Sequence, residues 1–179
     1  MSTLKPPLGP RDHLRGELSR AIHLVEFGDY ECPFCGQAQV VIHALERALG
    51  HQLCFGFRHF PIVGAHPNAQ IAAEAAEAAG AQGRFWPMSD LLYANQHALD
   101  VPHLGSYAEQ LGLDMHRFVD DLQTHRHLEK IRSDRHSGAI SGVGGTPTFF
   151  INGIRHDGPF DFDSLLAAMT LAARFPRAG

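Results

Sequence analysis

The stretch 29-DYECPFCGQAQVVIHALERAL-49 puts two of the chain's three cysteines, Cys32 and Cys35, three residues apart around a proline. The residues after this pair have helical spacing, and the pattern stops at Gly50. It predicts Cys32 at the helix N-cap and Pro33 at the first helical position, where the amide has no intrahelical partner and a proline costs nothing. Residues three apart share a helix face, so the two sulfurs can close a small ring with little backbone movement. Free backbone N–H groups and the positive end of the helix dipole favour a thiolate at Cys32, the attacking form of the thiol. Cys35, one turn deeper, suits a shielded resolving role.

Four uses of such a pair compete: a stapling disulfide, a zinc clip, two inert thiols and a reactive dithiol. A loop this small removes little unfolded-state entropy, so a staple gains little. Zinc needs four ligands, and the third cysteine, Cys54, stands alone within an apolar strand pattern, where a small buried hydrophobe is expected. Neither cysteine of the pair lies on an obvious apolar face. The reactive dithiol is favoured.

Outward from this stretch, the chain reads as strand, helix, strand: Ile22–Phe27, the helix after Cys32 with Val40, Val41, Ala44, Leu45 and Leu49 as its apolar residues, and 53-LCFGFRHFP-61. That order implies a βαβ unit with a parallel pair. From Pro67 to Gly142 the pattern is helical throughout, opening on the Ala/Glu-rich 67-PNAQIAAEAAEAAG-80. Strand character returns at Thr148–Ile151 and Ile154–His156 around Asn152-Gly153, a strong hairpin signal. A helix closes the chain, with Asp161 or Asp163 as N-cap and Leu165, Leu166, Met169 and Leu171 as its stripe. The expected organisation is α/β: an extension over residues 1–20, one domain over 21–66 and 143–179, and a helical insertion over 67–142.

Composition narrows the function. Of the 179 residues, 44% are hydrophobic and 19% charged, enough for a sizeable core. A net charge of −4 and no Lys/Arg-rich run give no electrostatic footprint for nucleic acid. The thirteen histidines are scattered and form no HExxH, so they read as surface and core residues and no metal site is expected. No apolar run has the length of a signal peptide or a membrane span, and a cytoplasmic protein is expected, where a CxxC is more often catalytic than structural.

Taken together, 27-FGDYECPFC-35, the helical block and 142-GVGGTPTFFINGIRHDGP-159 resemble the DsbA-like thiol-disulfide oxidoreductases of the thioredoxin superfamily, from about Ala21 to Phe175. The resemblance implies a thioredoxin fold interrupted by helices. It implies Cys32 as nucleophile, Cys35 as resolving thiol and Pro147 as a cis-proline facing them. It also implies a proton-relay role for Glu26, six residues before Cys32 and within an apolar strand. Burial there would raise its pKa. Pro33, Phe34, Phe60, Thr146 and Pro147 are then expected to contact substrate, the Thr146 backbone pairing with an extended chain. Disulfide- or thiol-containing proteins or peptides are the implied partners, with glutathione or a thioredoxin-type reductant beside them. No cofactor is implied beyond the Cys32–Cys35 pair.

One departure matters. The dipeptide between the cysteines is Pro-Phe, whereas the periplasmic oxidants of this kind typically carry Pro-His, so a less oxidising couple is expected. Relatives with 26-EFGDYECP-33 occur both as cytosolic proteins and as domains attached to membrane transporters, which leaves the direction of electron flow open. Two other classes stay in view: a non-redox metal carrier using the CxxC, and a glutathione-dependent isomerase or transferase of the same architecture.

Overall fold

The largely apolar stretch 22-IHLVEFG-28 makes the central strand of the sheet. In the computed structural model, which describes residues 2–174, this strand β2 (Ile22–Gly28) pairs parallel with β3 (Leu53–His59) and antiparallel with β4 (Thr148–Ile151). Residue 1 and residues 175–179, the outer ends of the expected spans, lie outside the described residues. Two short edge strands, β1 (His13–Arg15) and β5 (Ile154–His156), complete a five-stranded sheet in the order β1-β3-β2-β4-β5. Helix α1 (Pro33–Leu49) is the crossover between the parallel strands. Five helices lie between β3 and β4: α2 (Ala69–Gly80), α3 (Phe85–Ala94), α4 (Val101–Gln110), α5 (Met115–Gln123) and α6 (Leu128–Ile140). Helix α7 (Phe162–Arg174) ends the described chain.

Strand alternation decides what faces the dithiol. Ile22 and Leu24 enter the main core with Phe55, Phe57, Phe149 and Ile151, together with Ile42 and Leu45 of α1 and Leu165 and Met169 of α7. Val25 and Phe27 point the other way, into a smaller core with Leu4, Val143 and Phe150. Glu26, on the parity of Leu24, is therefore turned toward α1. Burying side chains of this size contributes on the order of 1.5–3 kcal/mol each, so the alternation strongly specifies the register.

The structure departs from the sequence expectations in three places. In α1 the buried set is Cys35, Ala38, Gln39, Ile42, Leu45 and Leu49, while Val40 is 71% exposed. That set is one continuous face at 3–4-residue spacing, and Val40 falls opposite it. In α7 only Leu165 and Met169 of the expected stripe are buried, Leu171 being 61% exposed; Asp161 is the N-cap residue, accepting from the Ser164 amide at 3.0 Å. The first twenty residues are not a simple extension. β1 is paired with β3, and Leu4 is in the smaller core. Arg58 pins this arm down: its guanidinium donates to both Asp12 carboxylate oxygens (2.7 and 2.9 Å) and to the Pro6 and Pro7 carbonyls (3.0 and 3.1 Å). A three-residue strand is too short to carry a periodic signal, and a cation held by carbonyls far away in sequence leaves none.

Candidate active site

Cys32 is the N-cap of α1 and Pro33 opens the helix, as their order in the sequence predicts. Both thiols are free; Cys35 is fully buried, as its shielded position suggested, and Cys32, 4% exposed, is more buried than the sequence suggested. Phe34 between them is 58% exposed. The Thr146–Pro147 peptide bond is cis, and the loop before β4 lies against Cys32. In its thiol form Cys32 donates Sγ–H to the Thr146 carbonyl at 3.3 Å. The Thr146 hydroxyl is buried and has no partner of its own, so it is free to donate to an ionised Cys32.

The two sulfurs experience opposite environments. A hydrogen bond from Cys35, opposed by partial burial and aided by Thr146 and the Cys35 and Phe34 amides, pulls the Cys32 thiol down to about 5. Those amides are the unpaired donors of the helix N-terminus. Cys35 goes the other way: burial pushes it far up, and the negative charge that Glu26 and Cys32 would carry pushes further. One thiol ionises readily, and the other keeps its proton until something removes it.

Glu26 lies in the middle of β2, fully buried, rather than at a sheet edge facing water. Burial raises its carboxyl from 4.5 to about 8; the Gln39 amide, donating to Oε2 at 2.8 Å, pulls it back in part, and the Cys32 charge raises it again. Its second oxygen, Oε1, has no hydrogen-bond partner. Gln39 and Cys35 sit four residues apart on one face of α1, so the helix carries both the buried thiol and the amide that steadies the acid.

Phe60, expected to contact substrate, is partly buried. It packs edge-on against Phe27, with ring centroids 6.3 Å apart, in the smaller core. A Cβ at Gly138 of α6 would stand 2.7 Å from its ring, which makes Phe60 a strut under the insertion. Cys54 is fully buried, and burial raises its thiol.

Three supporting groups escaped the sequence reading. Gln39 has no motif to mark it. Gln96, just past α3, donates to the Tyr30 and Cys32 carbonyls, both at 2.8 Å, and so fastens the insertion to the turn that presents Cys32. Asp29, 2% exposed, accepts from the Glu31 and Ile62 amides at 2.8 Å and through its carbonyl from the Cys32 amide at 3.2 Å. A second cluster was also invisible to histidine spacing: His13 and His59 each point Nε2 at Glu77 Oε1, at 2.7 and 2.8 Å. It joins β1, β3 and α2, and the three ligand-type atoms lie within 4.8 Å of one another.

A central βαβ unit, a β-hairpin after a cis-proline and helices inserted between β3 and β4 define a thioredoxin fold of the DsbA-like kind. Residues 9–170 match the thioredoxin family, and the chain belongs to it. Its fold is similar to that of BdbD from Bacillus subtilis, with a TM-score of 0.86 at 18% identity over 97% of this chain and 98% of that one. It is similar also to α-DsbA1 of Wolbachia pipientis, with a TM-score of 0.81 at 18% identity over 93% of each chain. In sequence it is 46% identical over 170 residues to a Na(+)/H(+) antiporter NhaA 1 of Salinispora arenicola, and 40% identical over 175 residues to the NhaA of Herminiimonas arsenicoxydans. Those matches take in 94% and 97% of this chain but only 26% and 28% of the antiporters, so the chain spans about a quarter of the length of these relatives. No helix among the described residues is long and apolar enough to cross a membrane.

Proposed function

We propose that the chain is a thiol-disulfide oxidoreductase working through its Cys32–Cys35 dithiol. The observation that carries this is the split between the two thiols: Cys32 drawn down to about 5 beside Thr146, and Cys35 held protonated behind it, next to a buried acid. The Cys32 thiolate attacks one sulfur of a substrate disulfide. A mixed disulfide forms, and the other substrate sulfur leaves as a thiolate. Cys35 then passes its proton to the Glu26 carboxylate and attacks Cys32 Sγ, which expels the second substrate thiolate. The substrate disulfide ends as two thiols and the dithiol as a disulfide; run backwards, the same steps oxidise a substrate. A carboxyl near 8 is well matched to taking and returning one proton near neutral pH.

The substrates are disulfide- or thiol-containing proteins or peptides. An extended segment would lie along Thr146–Pro147, whose carbonyl is free to accept a substrate amide once Cys32 is ionised. Phe34 offers an exposed apolar contact beside the sulfur, and Pro33 shapes the same edge. Glutathione or a thioredoxin-type protein would recharge the pair, and no cofactor beyond the dithiol is needed. We place this chemistry in the cytoplasm, where a lone CxxC is more often catalytic than structural. A thiolate at about 5 falls between the roughly 3.5 of DsbA and the roughly 7 of thioredoxin. The couple should therefore lie between about −120 and −270 mV.

The test is turnover of insulin disulfides. Cys32→Ser is expected to abolish it, and Cys35→Ser to leave weak turnover and to accumulate a mixed disulfide on Cys32. Wild-type rates in both variants would overturn this function.

A further inference from the structure

Among the described residues, one group of three histidine, cysteine or acidic side chains brings its donor atoms within 4.8 Å of one another: His13, His59 and Glu77. Neither active-site cysteine belongs to it. The sheet builds half of it. His13 of β1 pairs with Phe57 of β3, so His59, two residues on, projects from the same face. The two rings stand 6.2 Å apart and nearly perpendicular. Glu77 of α2 supplies the rest, its Oε1 meeting the two Nε2 atoms at 2.7 and 2.8 Å. Phe85 stacks flat on His13, with centroids 3.3 Å apart and planes 5° from parallel, and so fixes the plane of that ring.

Hydrogen bonds hold this trio together, yet they leave a buried carboxylate without a permanent cation. The Glu77 side chain is 9% exposed, and among the described residues its only ion-pair partners are the two histidines; no Lys or Arg reaches it. Two imidazole nitrogens and one carboxylate oxygen suit Zn²⁺ and its first-row neighbours, whereas Mg²⁺ and Ca²⁺ take oxygen ligands. Ligands about 2.0–2.1 Å from a tetrahedral ion stand about 3.3 Å from one another, so each nitrogen need draw back from Oε1 by only about half an ångström. The His13 side chain, 20% exposed, marks the open side by which an ion enters, while that of His59 is 1% exposed. His59 Nδ1 is buried and has no partner, so nothing locks the ring in the tautomer that carries its proton on Nε2.

We propose that His13 Nε2, His59 Nε2 and the Glu77 carboxylate bind one Zn²⁺ ion, which pins the N-terminal arm to β3 and α2. Water takes the fourth position, on the side of His13. When both rings are neutral, the proton of each moves from Nε2 to Nδ1 as the metal bonds form, and none is released. The ion replaces two hydrogen bonds by three metal–ligand bonds and gives the carboxylate a cation. The site uses neither cysteine, so it is independent of the thiol chemistry. Sequence spacing pointed to no metal site because the three ligands come from three separate elements.

The test is Zn²⁺ binding by the full chain carrying Cys32→Ser and Cys35→Ser, which removes the thiols as competing ligands. Equilibrium dialysis above the ordinary histidine pKa should give one tightly held ion per chain, and excess Zn²⁺, but not Mg²⁺, should raise Tm. Adding His13→Gln keeps an N–H donor for Glu77 and removes the nitrogen lone pair at the open side. Its Tm without metal should change little, while its Zn²⁺ affinity should fall by about a hundredfold or more. A second measurement needs no substitution at the site. Nitrogen NMR of the histidine rings should show His13 and His59 passing from the Nε2–H to the Nδ1–H tautomer as one equivalent of Zn²⁺ is added, with the other rings unmoved. Binding spread over several weak sites, an affinity unchanged in His13→Gln, or the same two tautomers before and after Zn²⁺ overturns the proposal.

Discussion

Glu26, beneath the dithiol, and Glu77, where β1, β3 and α2 meet, are both buried glutamates in one small protein, and they settle in opposite states. Glu26 has a single amide donor, Gln39, on one oxygen and nothing on the other, so burial wins and its carboxyl rises to about 8. Burial acts on Glu77 in the same direction, but two histidines, His13 and His59, donate to it and hold it well below the ordinary carboxylate range. Burial alone therefore does not set the charge of an acid; the donors around it do. The acid with two histidine donors knits three elements together, and the one with a single amide donor retains a proton it can exchange.

Substitutions that exchange these roles should break the comparison, the stabilising acid first. Glu77→Leu strands the buried His59 and the half-buried His13 without their acceptor and should cost about 3 kcal/mol in urea unfolding, with the Cys32 alkylation midpoint little changed. Glu26→Gln preserves shape in a carboxyl that is mostly protonated at pH 6, so stability at pH 6 should hold. The attack of Cys35 on the mixed disulfide should nonetheless slow by about a hundredfold in stopped-flow measurements.

The pH dependence of stability sharpens the contrast, because the two acids have opposite signs. Glu26 is raised from 4.5 on folding, so its contribution is complete below about 4.5 and is lost as pH climbs through about 8. Glu77 is lowered from 4.5, so its contribution is complete above that value and is lost as pH falls toward its depressed folded value. Glu26→Gln should flatten the alkaline limb of the stability profile by on the order of a few kcal/mol, and Glu77→Gln should remove the acid limb. The smallest effect is expected of Gln39→Leu. Deleting the one donor to the Glu26 carboxylate should raise that acid by about a further unit, read as a shift in the pH profile of the resolution step.

Much of this was legible in the residues. The Cys-Pro-Phe-Cys order fixes the N-cap and the first helical position, and the family resemblance, with the apolar strand around it, marks Glu26. The Asn-Gly pair marks the hairpin, and it is the family resemblance that places the Thr-Pro before it opposite the thiols. Illegible were the groups whose partners are distant in sequence: Gln39 at Glu26, Gln96 at the Cys32 carbonyl, Arg58 on the N-terminal arm and the two histidines on Glu77. None carries a periodic or spacing signal, because each acts through a hydrogen bond that exists only once the sheet and the insertion have packed. The burial of Cys32 was hidden for the same reason, since its cover comes from Thr146, more than a hundred residues away.

The most direct measurement is the pH dependence of Cys32 alkylation in the fully reduced protein, with modified cysteines located by mass spectrometry. A midpoint near 5, with Cys35 unmodified over the same range, is the expected result. A midpoint near the roughly 8.5 of an ordinary thiol, or equal modification of both cysteines, would contradict the division of labour on which the proposed chemistry depends.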